Sequence, residues 1–182
     1  MKADSRKTSN LSFEIERPLS EFLFSYLCQV FSDDDCNLTL KDWGYSSLEN
    51  IINGRSDVGL CGLEKLANSK YNPESLPYYV DYRVLHEDTP CIYINKNSNF
   101  TFKNIKDFKK SNFIGVLWED QQDWSFDIVL KRHGIKRKVS ILVESFEQAL
   151  TLIDSTEINK VVVAPSYCTG IVKSRYKNIK VM

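Results

Sequence analysis

The sequence predicts an α/β fold made of two Rossmann-like lobes joined by crossover strands. Three observations lead to this prediction. Segments with strand and helix periodicity alternate in the order β-α-β-α-β over the first third of the chain. The same alternation resumes after residue 100, and the apolar segment Cys91–Asn95 lies between the two cycles. Such an order is typical of parallel sheets with right-handed crossovers.

The first cycle contains three strands and two helices. The strands are predicted at Leu11–Glu16, Cys36–Trp43 and Val58–Gly62. The last strand is short and continuously apolar, which favours a parallel strand covered on both faces. Pro18 opens the first helix, whose apolar residues recur at helical spacing as far as Phe31. Ser46 and Ser47 are candidate caps for the second helix, which Gly54 ends.

The second cycle follows a less regular stretch. Further strands are expected at Tyr78–Leu85 and Cys91–Asn95, on either side of a polar turn. The remaining strands are Phe113–Leu117, Lys138–Val143, Val161–Ala164 and Ile179–Met182. The remaining helices are Asn104–Lys110, Ser125–His133 closed by Gly134, Phe146–Ile153 and Pro165–Arg175.

Composition limits the classes of function. Basic and acidic residues number 24 each, and this balance argues against the chain binding a phosphate backbone by itself. No run approaches the roughly 18 apolar residues of a membrane span, and no apolar run follows the basic N-terminus, so neither a membrane partner nor a signal peptide is expected. The five cysteines are widely spaced without a CxxC pair, which favours buried free thiols in the cytoplasm.

Three motifs, in this order and spacing, carry a resemblance. The first is Leu48-x-x-Ile51-Ile52-x-Gly54-x-x-Asp57-Val58-Gly59-Leu60; the others are Phe102–Phe108 followed by Phe113–Gly115, and Glu144–Leu150 followed by Val161–Pro165. Together they resemble the regulatory domain of LysR-type transcriptional regulators, which has a type II periplasmic binding protein-like fold. In the first motif, Gly54 reverses the chain and Asp57 offers its carboxylate to nearby backbone N–H groups.

The resemblance covers roughly residues 11 to 182, with departures. Lys96-Asn97-Ser98 stands where the family usually has His-Pro-Leu, and Glu157–Lys160 replaces a glycine-rich stretch. The family's N-terminal winged helix-turn-helix and its last strand-helix return are absent from this chain, which we expect to be a fragment. The expected organisation is a linker remnant at 1–10, lobe I at 11–90 with 179–182 returning to it, and lobe II at 91–178.

The resemblance implies an effector-sensing and dimerisation domain with a small-molecule effector bound between the lobes. DNA would be read by the missing N-terminal domain and not by this chain. A homodimer or homotetramer is expected, with the helix from Pro18 to Phe31 as the dimer surface. The alternative is a free-standing solute-binding protein of the same fold, and a third possibility is an enzyme built on it.

Ligands of open α/β folds bind beyond the carboxyl ends of the strands, near helix starts. This rule selects Arg17, Pro18, Leu19, Ser20, Gly62, Leu63, Trp118, Glu119, Ser145, Pro165 and Ser166. The three serines are hydroxyl donors suited to an anion, although plain N-capping is the more common role for each of them taken singly. Arg17 would neutralise a carboxylate and Trp118 would wall the pocket, whereas Glu119 would favour a cationic or neutral ligand.

Catalytic motifs are scarce. The two histidines, His86 and His133, have no Cys or carboxylate at metal-ligand spacing. The chain contains no GxSxG, HExxH, GxxxxGK or GxGxxG sequence. The sequence therefore predicts no enzyme activity, no catalytic or metal-binding residues and no cofactor.

Overall fold

The computed structural model describes residues 9–16, 19–30, 36–43, 47–63, 72–117, 125–155 and 159–182. The chain forms two compact units, Met1–Arg83 and Val84–Met182. The boundary therefore falls at residue 83, a few residues before the expected end of lobe I. The expected linker is also shorter, because Ser9 and Asn10 already belong to the first strand.

The first unit has the predicted β-α-β-α-β order. Its elements are β1 (Ser9–Glu16), α1 (Leu19–Val30), β2 (Cys36–Trp43), α2 (Ser47–Ile52) and β3 (Val58–Leu60). The strands form one sheet in the order β2-β1-β3, and both pairs are parallel. In this sheet β3 is an edge strand and Val58 is 39% exposed. β3 is parallel to β1, as predicted, but the predicted cover of both faces is incomplete, because Val58 is exposed while Gly59 and Leu60 are half-buried.

The turn between α2 and β3 has the predicted geometry. Gly54 adopts a φ of 65°, a left-handed conformation that favours glycine. The Asp57 carboxylate accepts hydrogen bonds from the Ser12 backbone N–H at 2.8 Å and from the Ser12 hydroxyl at 2.6 Å. The Asp57 N–H in turn donates to the Ser12 carbonyl at 3.1 Å. These reciprocal bonds fix where β3 begins against β1.

A buried polar cluster also connects β1, α2 and the turn that follows α2. Glu14 of β1 is almost fully buried. Its carboxylate accepts from the Asn50 amide at 3.1 and 3.2 Å and from the Ser56 hydroxyl. A buried carboxylate is costly unless it is hydrogen-bonded, so this cluster ties α2 and the turn to the central strand of the sheet.

The expected strand at Tyr78–Leu85 is not formed. This segment has no regular secondary structure, and Tyr78, Tyr79, Tyr82 and Leu85 are exposed. The Tyr79 hydroxyl donates to the Ile52 carbonyl at 3.3 Å. Apolar alternation indicates that a segment can form a strand, but a strand also needs a neighbour, and within the described residues this segment pairs with none.

The second unit carries a larger mixed sheet. Its elements are β4 (Pro90–Asn95), a 3-10 helix (Ile105–Lys110), β5 (Asn112–Val116), α3 (Ser125–Arg132), β6 (Lys138–Val143), α4 (Phe146–Ser155), β7 (Val162–Pro165), a one-turn 3-10 segment (Ser166–Cys168) that leads into α5 (Thr169–Arg175), and β8 (Ile179–Val181). Hydrogen-bonded neighbours are β5-β6 and β7-β4-β8. A parallel bridge between Phe113 and Val161 joins the two groups, which gives the order β6-β5-β7-β4-β8.

The last strand does not return to the first lobe. Ile179–Val181 pairs antiparallel with β4, through Asn95 opposite Ile179, and so belongs to the second unit. The expectation that residues 179–182 return to lobe I was therefore wrong. The physical reason is that β8 finds its partner in the crossover strand, and periodicity alone does not identify a strand's partner.

Aromatic side chains fill the core of the second unit. Phe108, Phe113 and Phe126 are buried together, with ring centroids 5.4 to 6.2 Å apart. Phe102 stacks on Phe108 at 4.5 Å. Such aromatic contacts contribute to stability beyond the area that they bury. They hold the 3-10 helix, β5 and α3 together.

Candidate functional site

In the first unit, two of the predicted ligand positions follow adjacent strands. Because β1 and β3 are parallel, with Ile15 opposite Leu60, their carboxyl ends lie at the same edge of the sheet. Ser20 stands at the start of α1 directly beyond β1, and Gly62 follows β3. The Ser20 side chain is buried, only 3% exposed, whereas Gly62 is exposed.

The neighbouring positions complete this edge as far as the structure describes it. Leu19 begins α1 and Leu63 ends the segment after β3, and both are half-buried. The predicted Arg17 and Pro18 lie outside the described residues. The structure therefore brings Leu19, Ser20, Gly62 and Leu63 to one edge.

In the second unit, three parallel strands end at a common edge. β5 pairs in parallel with β6 and is bridged in parallel to the residue preceding β7. Their carboxyl ends lead to Leu117, to Ser145 and to Pro165-Ser166. Since strands are about 4.8 Å apart, Ser145 and Ser166 flank β5 at a separation of about 10 Å across the sheet. The predicted Trp118 and Glu119 follow Leu117 and lie outside the described residues.

Ser145 is the N-cap of α4. Its hydroxyl oxygen accepts a hydrogen bond from the Gln148 backbone N–H at 3.1 Å. The Gln148 side chain accepts in return from the Glu144 N–H at 3.0 Å. This reciprocal pattern resembles a capping box. A serine hydroxyl that accepts one bond keeps its own hydrogen to donate, so capping and ligand binding are compatible here.

Ser166 is engaged by a carboxylate that sequence reasoning missed. The Asp88 side chain accepts from the Ser166 hydroxyl, from the Ser166 N–H at 3.2 Å and from the Tyr167 N–H at 3.2 Å. The nearest signal in the sequence is an acidic residue in the polar turn before Pro90. An internal anion thus occupies the helix start where an effector anion was expected.

Tyr93 supports the strand end beneath this contact. Its buried hydroxyl donates to the Pro165 carbonyl at 2.9 Å and lies 3.2 Å from the Thr169 hydroxyl. Burial raises the pKa of Tyr93 well above its usual range. A phenol is protonated at physiological pH even at its usual pKa, and the raised pKa extends this to more alkaline solution, so Tyr93 keeps its donor role toward Pro165.

Other site types find no support in the described part of the chain. Within it, no group of three His, Cys, Asp or Glu side chains is placed to hold a metal ion. No helix among the described residues is long and apolar enough to cross a membrane. Cys28, Cys61, Cys91 and Cys168 are free thiols, and Cys28 is exposed. The expectation that the cysteines are buried was therefore wrong for Cys28.

Comparison with known proteins identifies the architecture. No protein-family model matches the sequence. The regulatory domain of MexT, a transcriptional activator in Pseudomonas aeruginosa, matches 96% of this chain and 80% of its own length, with a TM-score of 0.71 and 16% identity. The arginine-bound form of a truncated ArgBP from T. maritima matches 95% of this chain and 81% of the truncated chain, with a TM-score of 0.61 and 15% identity. The chain has the type II periplasmic binding protein-like fold.

Effector-binding domains of LysR-type regulators are prominent among the neighbours with this fold. A probable transcriptional regulator from Pseudomonas aeruginosa, PA0477, matches 99% of this chain with a TM-score of 0.66 and 15% identity. The chain spans 59% of that regulator's length. The fold class predicted from sequence is confirmed, and the structural neighbours are regulatory and ligand-binding domains rather than enzymes.

Proposed function

We propose that this chain is the effector-sensing and dimerisation domain of a LysR-type transcriptional regulator, and that it has no enzyme activity. The observation that carries the proposal is the fold, whose two compact units each present helix starts or loops at the carboxyl ends of parallel strands. In open α/β folds this is where ligands bind. Regulatory domains with this fold have been solved with 2-PG and with shikimate bound, in CcmR and QuiR.

The proposed ligand is a small molecule that carries an oxyanion. Ser20 at the start of α1 and Ser145 at the start of α4 supply hydroxyl groups at helix N-termini, where the backbone favours negative charge. Gly62 lets a ligand approach the backbone after β3. From the positions outside the described residues, we assign Arg17 to charge neutralisation and Trp118 to the pocket wall. Ser166 joins the ligand only if Asp88 releases it.

Signalling would work by a population shift. An effector that binds one arrangement of the two lobes more tightly than another favours that arrangement. The change would pass to a DNA-reading domain outside this chain, in a cytoplasmic homodimer or homotetramer. Tyr26 and Val30 of α1 are 63% and 48% exposed, which supports α1 as a dimer surface because exposed apolar side chains on one helix favour association.

A free-standing solute-binding protein is the second candidate. The similarity to arginine-bound ArgBP favours it. The encoding reading frame separates the two hypotheses: about 90 residues with a helix-turn-helix pattern upstream identify the regulator. An apolar signal segment upstream identifies the solute-binding protein.

A thermal-shift screen tests the sensor function directly. The chain is heated with amino acids, small carboxylates, aromatic acids and polyamines. A ligand at about 100 times its dissociation constant adds about 2.7 kcal/mol of stability, a rise of several degrees in Tm. Ser20→Ala or Ser145→Ala should reduce the shift, whereas Ser174→Ala, an exposed serine of α5, should leave it unchanged. A shift in Tm that persists in both site variants contradicts the proposed residues. If none of the compounds shifts Tm, the result contradicts the sensing of these classes of small molecule.

A further inference from the structure

The sheet of the second unit has a second edge, opposite the candidate ligand edge. At this edge lie the amino ends of β5, β6, β7 and β8 and the carboxyl end of β4. The registers place Asn112 opposite Lys138, Phe113 opposite Val161, and Asn95 opposite Ile179. These pairings bring five strand ends into one row, although the residues come from distant parts of the sequence.

Every strand in this row is flanked by lysine. Lys136 and Lys138 stand at β6, Lys109 and Lys110 precede β5, Lys160 precedes β7, Lys96 follows β4 and Lys177 precedes β8. We call these seven residues the lysine edge. Six of them are exposed and Lys160 is half-buried. At about 4.8 Å per strand, five strands spread the charges over about 19 Å.

The ammonium groups of the lysine edge remain available for an external anion. Among the described residues none of the seven forms a side-chain ion pair within 4 Å. Lys160 donates to the Ser140 hydroxyl at 2.8 Å and Lys96 donates to the Lys177 carbonyl. Each of these bonds uses one of three ammonium hydrogens.

A hydrogen bond from a neutral N–H group does not cancel the charge of a carboxylate, so two acidic side chains count against the lysine edge: Asp154 near Lys177 and Asp107 near Lys110. Asp154 accepts from the Asn178 backbone N–H at 2.7 Å, beside Lys177. Asp127 pairs with Arg137 at 2.9 Å, so Arg137 is not counted in the lysine edge. Seven lysines against these two carboxylates leave the row with a positive surplus.

The net charge of zero conceals a split between the two units. Residues 84–182 contain 15 basic and 11 acidic residues, a net charge of +4, whereas residues 1–83 contain 9 basic and 13 acidic residues, a net charge of −4. The expectation that this chain does not contact a phosphate backbone rested on the total. What such binding requires is a cationic surplus on one face, and the lysine edge is such a surplus.

We propose that the lysine edge binds the phosphate backbone of duplex nucleic acid without reading its base sequence. Lysine is a common ligand of backbone phosphates, whereas protein-protein interfaces are depleted in lysine. Duplex DNA presents a phosphate every 3.4 Å along each strand, so an edge of about 19 Å meets several phosphates at once. This contact is independent of the effector site and adds to any DNA-reading domain.

Fluorescence anisotropy with a labelled duplex of about 30 base pairs and arbitrary sequence tests the proposal. The chain should bind with a dissociation constant of roughly 10⁻⁴ to 10⁻⁶ M at low salt. If about five lysines contact phosphates, the logarithm of the association constant should fall against the logarithm of salt with a slope of about −4 to −5. Absence of binding at low salt overturns the proposal.

Two matched triple charge-reversal variants test whether the lysine edge is the contact with the duplex. The triple variant K110E/K136E/K138E should bind at least about tenfold more weakly, with a slope reduced by about 3. The control R55E/R83E/K180E makes the same net charge change at exposed positions that are not members of the lysine edge, two of them in the first unit and one within β8, and should stay within about threefold of the original chain. K110Q/K136Q/K138Q provides a milder version if circular dichroism shows that the reversal unfolds the chain.

Two outcomes contradict a phosphate-backbone site. Equal weakening by the two charge-reversal triples would mean that overall charge, and not the lysine edge, drives binding. Competition by polyglutamate at the same charge concentration, as effective as competition by unlabelled duplex, would mean that the edge accepts any polyanion, including acidic protein segments. Weak competition by polyglutamate supports the nucleic-acid assignment.

Discussion

Ser145 and Ser166 occupy equivalent places in the second unit and yet have different partners. Each begins the helical segment that follows a parallel strand, and the two strands flank β5. Ser145 caps its own helix and keeps a hydroxyl hydrogen to donate. Ser166 and the following N–H bind the carboxylate of Asp88, which lies 78 residues earlier in the sequence. The comparison shows that a helix start is only a potential anion site, because a distant side chain can already fill it.

A third helix start completes the comparison. The 3-10 helix Ile105–Lys110 is preceded by Asn104, whose side chain accepts from the Lys106 N–H at 3.0 Å. Asp107 accepts from the N–H groups of Lys103 at 2.7 Å and Asn104 at 3.1 Å. The three starts are therefore satisfied by a local hydroxyl, by a distant carboxylate, and by a local amide oxygen together with a local carboxylate. Variants at the three starts should therefore lower the stability by different amounts and with a different dependence on pH.

The largest loss of stability is expected when the distant carboxylate, that of Asp88, is removed. Asp88→Ala leaves the Ser166 hydroxyl and two backbone N–H groups without their acceptor, and should lower the free energy of unfolding by about 1–2 kcal/mol. Urea denaturation measures this difference. Asp81→Ala removes an exposed carboxylate from the same segment whose hydrogen bond is to the adjacent Tyr82 N–H, and should change stability far less. Equal losses in the two variants contradict a capping role for Asp88.

A smaller loss of stability is expected when the local hydroxyl, that of Ser145, is removed. Ser145→Ala removes the acceptor of the Gln148 N–H and should cost about 1 kcal/mol. Ser166→Ala should cost less, because the Ser166 and Tyr167 N–H groups still bind Asp88. The same denaturation experiment ranks the two variants. A greater loss for Ser166→Ala would show that the Asp88 contact depends mainly on the hydroxyl.

The sequence was informative wherever local periodicity and turn chemistry decide the structure. Both α/β cycles were predicted, and Gly54 and Asp57 adopt the geometry that their spacing implies. The predictions were wrong where the structure of a segment depends on the strand with which it pairs. Among the described residues Tyr78–Leu85 has no neighbouring strand, β8 pairs with β4 rather than with the first unit, and Val58 of β3 is exposed.

The candidate site was predictable only in part, for a related reason. The rule that ligands approach strand ends selected Ser20, Gly62, Ser145 and Ser166 from sequence, and the structure places each beyond a strand end. It could not reveal Asp88, because nothing local links that residue to Ser166. The lysine edge was hidden likewise, since its members are spread from Lys96 to Lys177 and converge only through the order of five strands.

The smallest effect, and the one with a pH signature, is expected at Asp107. Its backbone hydrogen bonds, first from Lys103 and then from Asn104, hold the pKa of this carboxyl below its usual range. A lowered pKa in the folded state means that Asp107 contributes stability above the ordinary carboxyl pKa of about 3.9, and that this contribution is lost as pH falls through the folded-state value. Asp107→Asn should therefore lower Tm at neutral pH, with a difference that shrinks as the solution is acidified below about pH 4. Thermal unfolding of both proteins from about pH 7 to about pH 3, with Asp81→Asn as the control, measures this convergence. A Tm difference that stays constant over the whole range would mean that the side chain acts through shape and not through its charge.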